Sequence, residues 1–371
     1  MKILSISLDR KIFEPGSAVR SRLLEYGRLV EELHVIVFAK RSSGFKDESF
    51  QPNIFIYPTN TRTRLGYILR AVFVACAINR RGIVIDVVSA QDPFETGFTA
   101  YIISRILKAK FHLQIHTDMM SPYFKGESFI NRARVFFARF LIPHADAIRV
   151  VSERIKSSLS VVSCQLSVVS VLPIFIDTTA ISSIPITHNL KKKYPQFEKH
   201  IFMASRLSPE KNIGLAIEAM NEIIQKYPRV GLIIVGSGSK KESLVLETRK
   251  YNLESNIIFE GWQDNLVSYY KTADVFLLTS NYEGYGMAVV EALASKCPVV
   301  MTDVGCAGEV VHNGENGMVV PVGDKNALIQ ALLQVISGKI TLKSKPLYFP
   351  TKNEYLALYK KSWEDAFQAK K

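Results

Sequence analysis

The sequence predicts an α/β protein of two domains, each organised around a parallel sheet. Three observations carry that expectation. At 371 residues the chain is longer than one hydrophobic core usually serves. Short apolar runs alternate with amphipathic helical patterns, the rhythm of repeated βα units. Between residues 175 and 199 that rhythm lapses, around Pro185, Pro195 and the cluster Lys191-Lys192-Lys193, and then restarts. The expected division is a first domain over 1–180, a linker over 181–199, a second domain over 200–345 and a C-terminal helical segment over 346–371.

In the first series, strands are expected at Ile3–Leu8, Val35–Ala39, Ile54–Tyr57, Asp86–Ala90, His112–His116, Ala147–Val151 and Val168–Pro173. Helical patterns fall between them, as at Ala18–Leu33 and Phe94–Leu107. The second series places strands at Ile201–Ser205, Gly231–Gly236, Ile257–Gly261, Val275–Thr279, Pro298–Thr302 and Gly317–Val320. A polar helical pattern, Asn353–Gln368, ends the chain. The echo of Leu159-Ser-Val-Val-Ser163 in Leu166-Ser-Val-Val-Ser170 is too short for a solenoid. It reads as a helix end plus a strand, or as a duplication without function.

Composition is that of a folded protein, 47% hydrophobic and 22% charged. No apolar run approaches the roughly 20 residues that span a bilayer; the longest candidate, Ile68–Ile78, is too short and ends against Arg80 and Arg81. The opening Lys2–Leu8 reads as a strand and lacks the parts of a leader peptide, so a cytoplasmic location is expected. Cys76, Cys164, Cys297 and Cys306 have no paired spacing, which predicts reduced thiols and neither a disulfide framework nor a zinc site.

The net charge of +13 is uneven: residues 1–185 hold 24 Lys and Arg against 15 Asp and Glu, and residues 186–371 hold 23 against 19. A basic first half points to an anionic partner. Nucleic acid is not expected, since no aromatic stacking motif with interleaved basic residues, helix-turn-helix or zinc spacing occurs. One basic stretch is distinctive. Around a helix over Phe129–Phe140, Phe129, Ala133, Phe136, Phe137 and Phe140 share a face flanked by Arg132 and Arg139, with Lys125 before it. Two readings stay open: that face packs on the sheet, or it rests on an anionic membrane surface.

The strongest chemical signal runs from Ser280 to Val320. The apolar strand Val275–Thr279 leads into Asn281-Tyr-Glu-Gly-Tyr-Gly-Met-Ala-Val-Val-Glu291, where Gly284 and Gly286 permit a tight turn. The helix that follows directs its N–H groups and positive dipole end at the loop, an anion site. Glu283 and Glu291 are poor neighbours for phosphate but good acceptors for sugar hydroxyls; the plainer reading is a glycine loop with a solvated glutamate. Upstream, Phe202–Asn212 places Arg206 and Lys211 five apart at the carboxyl edge of a parallel sheet, where ligands of such sheets bind. They can clamp a diphosphate or stay solvated. Gly236-Ser-Gly238 lacks the third glycine of a dinucleotide fingerprint.

These elements occur in a fixed order: Arg206-Leu-Ser-Pro-Glu-Lys211, Gly236-Ser-Gly238, Phe259-Glu-Gly261, Ala273-Asp274, Glu283-Gly-Tyr-Gly-Met287, Glu291-Ala-Leu-Ala294, Pro298-Val-Val300, Gly308-Glu309 and Asn316-Gly317. The series resembles the retaining family 4 glycosyltransferases of the GT-B fold. The resemblance implies two Rossmann-like domains with sheets facing across a cleft, and a C-terminal helix returning to the N-terminal domain. It implies a nucleotide diphosphate sugar donor and a glycan, lipid-linked or small-molecule acceptor. Glu291 would bind the donor ribose and Glu283 a hydroxyl of the transferred sugar. Arg206 and Lys211 would neutralise the diphosphate, with Gly284, Tyr285, Gly286 and Met287 lining it.

In the first half, Glu14-Pro-Gly-Ser-Ala18 opens a helix, and Gly16 matches the family's phosphate-approaching glycine; a simple cap by Gly16 and Ser17 is the alternative. His116 ends a strand where the family often has a histidine facing the donor sugar, and His112 lies on the same sheet face. The implied catalytic set is Glu283, His116, Arg206 and Lys211. No Asp-x-Asp occurs and cationic groups are in place, so no metal or other cofactor is expected. A GT-B relative that isomerises or hydrolyses a nucleotide sugar remains the alternative. Departures from the family are Lys296 and Cys306 at glycine positions and Pro173–Asp177 without Asn-Gly. A lysine in a left-handed helix exit costs about 1 kcal/mol.

Overall fold

The computed structural model describes residues 1–160, 168–342 and 349–369. The chain splits into two compact units. The first comprises Met1–Met120, Ser128–Pro173 and Pro350–Lys371, the second Ser121–Glu127 and Ile174–Phe349. Cys164, residues 161–167 of the sequence echo and the expected 345/346 boundary lie outside the described residues.

The first unit holds an eight-stranded sheet: β1 Lys2–Ser7, β2 Glu32–Val37, β3 Glu48–Phe50, β4 Ile54–Pro58, β5 Val87–Ala90, β6 Lys110–Ile115, β7 Ala147–Val150 and β8 Val168–Val171. Their spatial order is β3-β4-β2-β1-β5-β6-β7-β8. The second unit holds six parallel strands: β9 Lys199–Ala204, β10 Val230–Val235, β11 Ile257–Phe259, β12 Val275–Leu278, β13 Val299–Thr302 and β14 Gly317–Val320, ordered β11-β10-β9-β12-β13-β14. The helices are α1 Ala18–Gly27, α2 Arg64–Arg80, α3 Glu95–Leu107, α4 Pro122–Glu127, α5 Phe129–Leu141, α6 Glu153–Leu159 and α7 Thr178–Ser183. There follow α8 Leu190–Lys193, α9 Ile213–Lys226, α10 Lys241–Lys250, α11 Val267–Thr272, α12 Met287–Ala294, α13 Lys325–Ile336 and α14 Lys352–Gln368.

Each strand expected from the sequence is present, because strands covered by helices on both faces must be apolar at every position. All six residues of β10 are buried. β3, the one antiparallel strand among the described residues, was not foreseen; its three residues pair only at the sheet edge and leave no periodic signal. The helix expected over Ala18–Leu33 stops at Gly27. Leu33 instead pairs in the sheet between Ile3 and Ile54, so its burial comes from strand pairing and not from a fourth helical turn.

Strand alternation sets the layers of the first unit. On β6, Phe111 meets Tyr101 of α3 at 5.9 Å, whereas Gln114 points the other way and bonds Tyr359 of α14 at 3.1 Å. α14 thus belongs to the first unit, as expected, and a Thr351–Glu354 capping box starts it. Tyr26 of α1 stacks on Tyr359 with centroids 4.1 Å apart. On the opposite layer, α5 buries Asn131, Val135, Ala138 and Leu141 and leaves Phe129, Phe136, Phe137 and Phe140 exposed. The reading in which the phenylalanine face packs on the sheet is therefore corrected: the smaller face packs.

In the second unit, Phe202 of β9 lies among the rings of Tyr269, Tyr270 and Phe276, at 5.3, 5.2 and 5.9 Å. Glu260, just after β11, ties this core to α8. It accepts hydrogen bonds from Tyr194 (2.5 Å), Tyr269 (2.6 Å) and Lys193 (2.7 Å). Burial alone would raise its pKa, but these donors hold it below the ordinary 4.5. Because the folded carboxylate takes its proton at lower pH than the unfolded one, its contribution is complete above the ordinary value and fades as pH falls through the folded one. Glu260→Gln is expected to destabilise the protein by about 2–4 kcal/mol at neutral pH. Urea titrations of both proteins should show the difference shrinking below about pH 4; a difference that grows on acidification contradicts the assignment.

Cys76 and Cys297 are unpaired thiols, Cys297 being pushed up to about 12 by burial. Among the described residues, no helix is long and apolar enough to cross a membrane.

Candidate active site

The second sheet reverses its strand order between β9 and β12: β10 and β11 lie to one side, β13 and β14 to the other. Loops leaving the carboxyl ends of the strands that flank such a reversal form a ready-made crevice. Arg206 and Lys211 follow β9, and Glu283 follows β12, so the sequence motifs converge from opposite directions.

Their central contact joins Lys211 Nζ to Glu283 Oε1 at 2.5 Å, both side chains being only 13% exposed. Ser280 Oγ donates to the same carboxylate oxygen at 2.7 Å. The two loops are also stitched together by backbone and amide bonds. Thr279 Oγ1 donates to the Lys211 carbonyl at 2.9 Å, Asn281 N to the Glu210 carbonyl at 2.8 Å, and Asn212 Nδ2 to Asn281 Oδ1 at 3.0 Å. Lys211 is thereby a fixed cation. Arg206 differs: it is 75% exposed and pairs with Glu210 at 3.2 Å, so it can swing toward a ligand but is not held there.

Gly284 and Tyr285 lead into α12, whose N-cap is Gly286 at φ 93°. That left-handed conformation suits glycine. No described side chain caps the helix, and Met287 opens its first turn. Tyr285 is buried, and burial raises its phenol above the usual value. One turn further into α12, Glu291 Oε2 accepts a hydrogen bond from Tyr270 at 3.2 Å. Burial raises Glu291 above the ordinary carboxylate value, and the Tyr270 bond partly offsets this.

Three participants escaped the sequence reading. Gly305, at φ 54°, lies against the loop: a Cβ there would sit 2.4 Å from the Tyr285 carbonyl oxygen and 3.0 Å from Glu283 Cβ. Cys306 N completes the support by donating to that carbonyl at 2.7 Å. A glycine three residues beyond a strand end was the available signal. Gly305→Ala is expected to push the Glu283–Tyr285 loop aside and cost about 1–3 kcal/mol; an unchanged urea midpoint would show that the loop yields freely. Tyr270 and Tyr282 had no local signal. Tyr282 bonds Glu127 of α4 and meets the Phe124 ring at 5.4 Å, which fixes the loop from outside. Lys296 adopts φ 62°, the left-handed helix exit expected where the resembled family has glycine.

His116 and Gly16 belong to the first unit. His116 is half-buried after β6, with Nε2 3.2 Å from Gln114 Oε1. Burial, then Arg149 and Arg22, lower its pKa to about 3, so its imidazole is neutral at physiological pH. His112 is wholly buried, bonded to Ser89 Oγ at 2.9 Å and likewise lowered to about 3 by burial first; depth separates the two histidines. Gly16, at φ 78°, follows β1, which flanks the first sheet's own reversal, and open space lies where a side chain would be. The cap of α1 is made by Ser17, whose side chain accepts from Arg20 N at 3.1 Å.

Residues 187–346 match the family model described as "Glycosyl transferases group 1". Over 138 residues the chain is 33% identical to the poly(glycerol-phosphate) alpha-glucosyltransferase of Bacillus subtilis (strain 168), covering 37% of this chain and 20% of that protein. Over 161 residues it is 29% identical to the poly(ribitol-phosphate) alpha-N-acetylglucosaminyltransferase of Staphylococcus aureus (strain COL), covering 43% and 32%. The match thus spans a third or less of those relatives' lengths. Among solved structures, Anabaena HepE in complex with UDP aligns with TM-score 0.69 at 19% identity, over 100% of this chain and 95% of that one. Sucrose-phosphate synthase from Thermosynechococcus elongatus gives 0.75 at 18%, over 100% and 94%. At such identities the likeness establishes the fold alone. The chain therefore has the GT-B fold, and its residues 187–346 carry the sequence signature of group 1 glycosyl transferases.

Proposed function

We propose that this protein transfers a sugar from a nucleoside diphosphate sugar to an acceptor with retention of anomeric configuration, without a metal, in the manner of the family 4 enzymes. The observation that carries the proposal is the Lys211–Glu283 pair held beside the start of α12 at the sheet's reversal. As the bond to the anomeric carbon breaks, charge gathers on the leaving diphosphate. Lys211, Arg206 and the first-turn N–H groups of α12 counter it from fixed positions. Glu283 accepts a hydrogen bond from a hydroxyl of the transferred sugar, and Glu291 one from the ribose. The neutral imidazole of His116 suits a sugar hydroxyl better than a phosphate, and Gly16 leaves room for phosphate to approach backbone. No carboxylate is assigned as a nucleophile, so the acceptor attacks from the face that the diphosphate leaves.

UDP sugars are the first donors to try, since HepE is described in complex with UDP and with UDP-glucose. The relatives' names specify polyol phosphate polymers and α linkages. A phosphorylated or lipid-linked glycan acceptor suits the basic first half, nucleic acid is not proposed as a partner, and a cytoplasmic location is proposed with this reading. Thermal shifts against UDP, GDP and ADP sugars test donor binding: the right donor at 100 times its Kd stabilises by about 2.7 kcal/mol. Product analysis in EDTA then tests the reaction. Donor consumption with no glycosylated product would favour hydrolysis or isomerisation, and strict metal dependence would overturn the cationic clamp.

A further inference from the structure

One helical layer of the first unit presents a solvent face that is apolar and cationic at once. α2 turns Leu65, Leu69 and Phe73 outward at four-residue spacing. α5 turns out four phenylalanines, of which Phe129 and Phe136 are 82% and 71% exposed. α3 joins these helices into one surface. Phe98 meets Phe137 at 6.1 Å, Tyr101 meets Phe140 at 5.7 Å, and Glu95 pairs with Arg64 of α2 at 3.9 Å and Arg134 of α5 at 2.8 Å. The three helical sequences hold seven arginines and a single acid, Glu95, which those two arginines already engage.

We infer that this three-helix face docks on an anionic lipid surface. Its rings and leucines enter the boundary between headgroups and acyl chains, while its arginines meet the phosphates. Exposed apolar groups clustered on one layer mark an interaction surface, and the charge pattern selects the occupant. A second copy docked through a two-fold axis would set arginine against arginine. A bilayer edge supplies both the apolar interior and the negative charge. Cation and apolar ring also meet directly on this face: the exposed Arg70 sets its guanidinium 5.0 Å from the centre of the Phe73 ring. This inference stands apart from the sugar-donor reading.

The test is co-sedimentation with vesicles of phosphatidylglycerol and phosphatidylcholine in equal parts, and with phosphatidylcholine alone. Wild-type protein is expected to pellet with the first and far less with the second. Arg132→Glu/Arg139→Glu and Phe129→Ser/Phe136→Ser should each lower the bound-to-free ratio by about tenfold or more, with unchanged melting temperatures because these side chains are exposed. Phe136→Trp should add emission that shifts to the blue on anionic vesicles. Absence of pelleting at low salt, pelleting of both double variants as complete as that of wild type, or a blue shift that follows protein concentration without lipid would each overturn the inference, the last in favour of a second copy. The UDP-sugar thermal shift measured in the same double variants separates the two readings: it should persist while vesicle binding is lost.

Discussion

Lys211→Ala is expected to lower kcat by about 10²–10³-fold, with a smaller change in the Kd of the donor. In the proposed reaction the ammonium faces charge that grows as the donor bond breaks, so its loss should be felt more in the transition state than in the bound ground state. Arg206→Ala should act in the same direction but more weakly, because Arg206 is exposed and paired with Glu210 at the rim. Lys211→Ala also strands Glu283, buried beside it, and some loss of stability follows. Lys211→Met controls for packing: it keeps the length of the stem and removes only the charge. Steady-state kinetics with the identified donor decide the matter, and an unchanged kcat in Lys211→Met would remove this residue from the chemistry.

The two glutamates should separate cleanly under calorimetry with a free nucleoside diphosphate. Glu291→Ala is expected to weaken nucleotide affinity by roughly 10–100-fold, the loss of a charged acceptor for ribose hydroxyls. Glu283→Ala should leave nucleotide affinity unchanged or tighter while transfer falls by at least about tenfold. The structure gives the reason for the second sign: Glu283 now occupies the Lys211 ammonium, and removing it frees that cation for the diphosphate. Equal loss of affinity in both variants would show that the division of roles is wrong.

What could be read from sequence was whatever local periodicity or glycine placement encodes. The parallel strands were legible because burial on both faces makes them continuous apolar runs, as in Val230–Val235. The motifs of the candidate site were legible because Arg206 and Lys211 follow the end of β9, and Glu283 and Glu291 follow the end of β12. The pairing of Lys211 with Glu283, 72 residues apart, was not legible, since it depends on which strands lie side by side at the reversal. Tyr270 was hidden for the same reason: its hydroxyl reaches Glu291 only through packing of α11 beside α12. The phenylalanine face of α5 shows the limit of periodicity, which marks an apolar stripe without saying whether protein covers it.

Hydrogen–deuterium exchange with and without the nucleoside diphosphate of the identified donor tests the central claim most directly. Saturating nucleotide is expected to slow exchange at the backbone of residues 205–211 and 281–291, the loops that flank the strand reversal and the first turns of α12. Bound nucleotide that protects neither segment would contradict the placement of the donor diphosphate beside Lys211 and α12.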